Sequence, residues 1–153
     1  MEIEIRVVGP QDWPGIWAIF QTVVSAGGTH VYDPDTTEDA ARDLWTGPPA
    51  TAFVAVEGES VAGTYMMKPN QSGLGSHVAN AGFMVPPGHS GKGTGRAMGE
   101  HALAEARRAG YLAMQFNFVV STNTAAVAPS ESLGFAIAST VLQAFRRRFV
   151  GVP

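Results

Sequence analysis

The 153-residue sequence contains no cysteine, which removes disulfides, thiolate nucleophiles and cysteine-built metal sites together. That absence fits a reducing compartment. No stretch reaches the roughly 18 unbroken apolar residues of a membrane span, and the opening MEIEIRVVGP lacks the basic-then-apolar layout of an export signal. The expectation is a soluble, cytoplasmic protein with no membrane partner. Charge is also scarce, at 15% of residues and a net −3, so the clustered lysine and arginine that hold nucleic acid are not expected. The four histidines show no ligand spacing such as HExxH; His30, His89 and His101 are read as surface residues, and no metal is predicted. Repeats and low-complexity linkers are absent too. What remains is a 45% apolar chain, long enough for one core and too short for two, so residues 1–153 are read as a single domain.

Ten of the thirteen acidic residues precede residue 60, and seven of the ten basic ones follow residue 90. One half is thus suited to a cation and the other to a polyanion. IEIRVV alternates as a half-buried strand does. In the following segment Asp12 is placed to cap a helix and Pro14 suits its first turn, while Trp13, Ile16, Trp17, Phe20, Val23 and Val24 form a core stripe. TTEDAARDLW reads as a short acidic helix ending at Gly47, Pro48 and Pro49. ATAFVAVEG and ESVAGTYMMKPN read as a hairpin turning at Glu57, Gly58 and Glu59, and HVANAGFMV as a strand stopped by Pro86 and Pro87. An amphipathic helix with Met98, Ala102, Ala106 and Ala109 on one face ends at Gly110. AMQFNFVV, STNTAAVAPSESLGF and FAIASTVL complete the order β, α, α, β, β, β, α, β, α, β. That order specifies a mixed α/β domain whose largely antiparallel sheet is flanked by helices.

GHSGKGTGRAMGEHAL joins a strand to a helix through alternating glycines, which let backbone amides approach a ligand beside the positive end of a helix. Phosphate is the natural guest, with Lys92 and Arg96 adding charge at the rim. The spacing is not that of a Walker loop, because Thr94 follows Gly93. Nor is it the GxGxxG of a dinucleotide site, because Met98 stands three places beyond Gly95.

SGKGTGRAM resembles the coenzyme A loop of the GCN5-related N-acetyltransferases, whose Q/RxxGxG/A pattern maps onto Ser90, Gly93 and Gly95. Downstream, NTAAVAPSESLGF resembles that family's closing Asn, short helix and LGF, and the likeness runs from IEIRVV to LGFAI. PNQSGLGSHVANAGFMV and AMQFNFVVSTN look more loosely like a branch acting on small amines and amino-acid analogues. The resemblance implies acetyl transfer from acetyl-CoA to a small amine. It places Met84 and Val85 beside the pantetheine arm, and the loop residues Ser90, Gly91, Lys92, Gly93, Thr94, Gly95 and Arg96 at the pyrophosphate. Asn123 would contact the pantetheine side. Asn70, His77, Asn80 and Asn117 are polar groups in otherwise apolar strands, where such groups usually carry a hydrogen-bonding task. Asn80 and Asn117 are the candidates for contact with the acceptor, and His77 is a candidate base.

Three departures from the family pattern stand out. Ser90 replaces the usual Arg or Gln. Ser130 occupies the position of the acidic Tyr, and a serine hydroxyl protonates a leaving thiolate only poorly unless water relays the proton. Pro129 compounds this second departure, because it falls past the first turn of the same helix, at a cost of ~3 kcal/mol. After the sixth strand only residues 149–152 offer a stub for the family's seventh. Unpaired groups at that C-terminal sheet edge would suit a homodimer. A second reading follows from these departures, a degenerate member with weak or no acetyl-CoA binding that serves as a binding or assembly module.

Overall fold

The computed structural model describes residues 2–26, 32–89, 93–116 and Gly134. Ile3–Val7 forms β1, followed by a 3-10 turn at Pro10–Asp12 and helix α1, Trp13–Ser25. Helix α2 is Glu38–Thr46. Strands β2 (Thr51–Glu57) and β3 (Ser60–Pro69) make the hairpin, and β4 is Val78–Met84. Helix α3 spans Thr94–Arg108, and β5 is Ala113–Gln115. Up to β5 the order matches the one expected from the sequence. The sheet order is β1-β2-β3-β4-β5, antiparallel except for the parallel β4–β5 pair.

Alternation sorts the sheet's side chains between two helical layers. Val54, Met66 and Met84 join Trp13, Ile16, Phe20, Val23, Val24 and Trp45 in the core under α1 and α2. Phe53, Ala55, Tyr65, Met67 and Ala79 pack against Met98, Ala102 and Ala106 of α3. Strands β2 and β3 are therefore covered on both faces, which is why they read as apolar runs. The indole Nε1 of Trp45 donates to Thr64 Oγ1 at 2.9 Å, and that hydroxyl donates to the Phe53 carbonyl at 2.7 Å, so a fully buried polar chain is satisfied.

The expected role of Asp12 changes. Its side chain makes no cap bond to α1, because both carboxylate oxygens are taken by Arg6 at 2.7 and 2.9 Å and Oδ2 also accepts from the Gly9 amide at 2.7 Å. The Arg6 hydrogen bond, against the opposing cost of burial, holds the Asp12 carboxyl below the ordinary aspartate range. Asp12 thus clamps the end of β1 to the start of α1. Thr37 does cap α2, accepting from the Ala40 amide at 3.2 Å.

Candidate active site

The Gly-rich segment lies where β4 hands over to α3. Pro86 and Pro87 cannot donate to a ladder, so the strand ends and a 3-10 turn follows at Pro87–His89. Gly93 is the N-cap of α3 in a left-handed conformation, φ 83° and ψ 0°, which glycine adopts without steric cost. Its carbonyl accepts from the Ala97 amide at 2.9 Å, and the first-turn amides ahead of Ala97 have no acceptor inside the helix. Among the described residues nothing lies within 4 Å of where a Gly93 β-carbon would stand, and Gly95 would meet only Val85 Cγ2 at 3.9 Å. The helix end therefore presents donors to open space at the positive end of its dipole.

Close packing holds that end still. A β-carbon on Gly63 of β3 would lie 2.9 Å from Met98 Cε and 3.1 Å from Thr94 Cγ2, so α3 rests directly on the strand backbone. Thr94 is 1% exposed and its Oγ1 has no hydrogen-bond partner. Nδ1 of His89 is likewise buried and unpartnered, 3.8 Å from Glu57 Oε2. Arg96, expected at the rim, pairs with Glu100 at 3.1 Å on a half-exposed surface. Such a pair is weak enough to be exchanged for a stronger anion.

The remaining predicted site residues divide between the two faces. Met84 is 1% exposed, with its side chain committed to the α1–α2 core, whereas Val85 packs in the α3 cluster. Asn80 is half-buried on the α1–α2 face, in register with Lys68 of β3 and Gln115 of β5. His77 is exposed before β4 begins, with Nδ1 3.1 Å from the Leu74 carbonyl, which leaves it outside the strand where a base was sought. Ser90, Gly91, Lys92, Asn117, Asn123, Pro129 and Ser130 lie outside the described residues, as do the sixth strand and the C-terminal sheet edge.

Two features went unread in the sequence. His101 is not a free surface residue. It sits three places beyond Met98 on the buried stripe of α3, edge-on to Phe53 and Tyr65, and its Nδ1 lies 2.7 Å from the Tyr65 phenol. Burial, with Glu105 as a smaller cause, pushes that phenol above the ordinary tyrosine range, and the imidazole tautomer sets which of the two groups donates. The other feature is a cleft of about 230 Å³ between α1 and the segment before α2, lined by Trp17, Phe20, Gln21, Val24, Asp35 and Thr36 among others. The aromatic stripe assigned wholly to the core thus presents Trp17 to an opening beside an acidic residue. Among the described residues no cluster of three or more His, Cys, Asp or Glu could hold a metal, and no helix is long and apolar enough to cross a membrane.

Comparison with known proteins finds the same fold in a known family. A family model, Acetyltransferase (GNAT) family, matches residues 14–135, well over half of the chain. The chain belongs to this family. The match runs through both the Gly-rich segment and LGF. The chain is 31% identical to N-acetyltransferase aca1 of Schizosaccharomyces pombe over 80% of its own length, and spans 66% of that protein. A GCN5-related N-acetyltransferase from Kribbella flavida superposes with a TM-score of 0.92 at 43% identity, covering 98% of this chain and 92% of that one. The GNAT fold is shared as well by yncA from Salmonella typhimurium, solved with its cofactor acetyl-CoA, at a TM-score of 0.84 and 24% identity over 99% of this chain and 90% of that one.

Proposed function

We propose that this GNAT protein moves the acetyl group of acetyl-CoA onto the amine of a small, amino-acid-like molecule in the cytoplasm. The observation that carries the reading is the N-terminus of α3, where the left-handed Gly93 opens first-turn amides onto free space and the buried Thr94 hydroxyl stands without a partner. These features fit a pyrophosphate group, and the acetyl-CoA in yncA supports the fit. In this reading the backbone amides at 91–95 hold the pyrophosphate, with Ser90, Lys92 and Arg96 at its edge. The end of β4, at Met84 and Val85, lies along the pantetheine, and Asn123 closes its other side.

Acetyl-CoA supplies an acetyl thioester whose carbonyl carbon takes the amine lone pair, so that a C–N bond forms, the C–S bond breaks and the thiolate leaves. A backbone amide near the end of β4 donates to the carbonyl oxygen as charge gathers there. Asn80 and Asn117 orient the amine, but a carboxamide is not a base near neutral pH, so the amine loses its proton to water. Ser130 passes a proton toward the thiolate through water.

Calorimetric titration with acetyl-CoA tests the reading, followed by thiol release that depends on added amine. The expectation is saturable binding that disappears when Gly93 and Gly95 are both made bulky. No binding at millimolar acetyl-CoA would overturn it.

A further inference from the structure

Ladder register places three polar side chains together on the α1–α2 face of the sheet. Lys68 of β3 stands opposite Asn80 of β4. Asn70 continues the same ladder, its amide donating to the Val78 carbonyl at 2.8 Å, and lies two residues from Lys68 and so on the same face. Neighbours across the ladder are about 5 Å apart and those two along it about 7 Å, so one small zwitterion is long enough to touch all three groups.

All three lack partners among the described residues. Oδ1 of Asn70 is buried without a hydrogen bond, and the half-buried Asn80 side chain makes none. Half-buried Lys68 forms no ion pair, although the chain is net acidic. Of the thirteen acidic residues only Glu131 lies outside the described residues, so nearly every internal candidate to neutralise Lys68 is accounted for. Of the three, the Asn70 oxygen is the buried unpartnered atom, while the Lys68 ammonium and the Asn80 amide reach solvent beside it and are open to a ligand.

We propose that Lys68 is a specificity-determining residue that binds an anionic group, a carboxylate or its equivalent, on the acceptor, with Asn70 and Asn80 accepting from or orienting its amine. This rests on the acetyltransferase reading and adds to its amino-acid-like acceptor a requirement for a negative charge within a few bonds of the nitrogen, with Lys68 as the group that reads it. Lys68 touches the part of the acceptor that does not react, so its loss acts on binding more than on turnover.

The test measures acetyl-CoA-dependent thiol release with alanine, serine, methionine and phenylalanine, each against its carboxamide. The carboxamide keeps the amine and removes only the anion. Wild type is expected to favour the acids. Lys68→Gln should lower kcat/KM for the acids about tenfold, mostly through KM, leave the carboxamides unchanged, and be rescued by Lys68→Arg. Comparing ratios across variants cancels the different basicity of acid and amide amines. Acids and carboxamides used equally by wild type, or lowered alike by Lys68→Gln, would overturn the assignment while leaving acetyl transfer intact. No thiol release with any probe would defeat the acetyltransferase reading, and this inference with it.

Discussion

Replacing Gly93 by alanine separates backbone conformation from side-chain bulk at the proposed pyrophosphate loop. No atom lies within 4 Å of the new methyl, so nothing clashes in the protein itself. The cost comes from φ 83°, where a left-handed alanine loses about 1–2 kcal/mol. For a chain of this size each kcal/mol lowers Tm by about 2–4 °C, so the variant should melt roughly 2–8 °C below wild type and remain folded at 25 °C. If φ relaxes, the first-turn amides of α3 turn away from the ligand. Losing one charge-assisted hydrogen bond of about 1.5–3 kcal/mol weakens acetyl-CoA binding by roughly 10- to 150-fold. Gly88→Ala is the matched control, since a β-carbon there also meets nothing within 4 Å and no left-handed φ is involved. It should change neither Tm nor affinity. Calorimetry and thermal melts on both variants decide the matter. Gly93→Ala protein that binds acetyl-CoA as tightly as wild type would refute the argument that this N-cap holds the ligand.

Thr94→Val keeps the shape and deletes the unsatisfied buried hydroxyl, so urea unfolding should show no loss and up to about 1–3 kcal/mol gained, whereas clear destabilisation would mean the hydroxyl has a partner in the free protein. Asp12→Asn should cost about 2–3 kcal/mol at pH 7 by breaking the Arg6 clamp. Because the folded pKa of Asp12 is depressed, its stabilisation is complete above the unfolded value near 3.9 and fades as pH falls through the lower folded value. The stability gap between wild type and Asp12→Asn should therefore narrow in acid, and a gap constant from pH 7 to pH 2 would contradict the assignment. Tyr65→Phe removes the hydroxyl partner of His101 Nδ1, which should cost about 1 kcal/mol and shift the imidazole resonances in NMR spectra, and an unchanged His101 spectrum would show that the pair does not form in solution.

Much of the architecture was legible because the signals were local. The proline pair after β4, the turn at Glu57, Gly58 and Glu59 and the Gly47, Pro48, Pro49 stop after α2 each act within a few residues, so the element order through β5 could be read along the chain. The Gly-rich strand-to-helix junction was legible for the same reason, since a left-handed N-cap leaves a glycine in a recognisable place. Asp12 shows where local reading fails. A carboxylate before a helix is a sound cap, but Arg6 is close in space and offers a stronger bond than a backbone amide.

His101 failed for a different reason. Its position on the stripe was visible, but its partner Tyr65 lies 36 residues away, and only the seating of α3 on the sheet joins them. The row of Lys68, Asn70 and Asn80 has the same character, because each is an ordinary polar residue in its own strand and becomes a group only through the β3–β4 register. The sequence by itself determined the element order through β5 and the glycine-capped end of α3, because hydrophobic period, proline and glycine act on neighbouring backbone. Only the tertiary structure decided which polar side chains find partners and which do not, because hydrogen bonds and ion pairs depend on distances of a few ångströms between residues far apart in the chain.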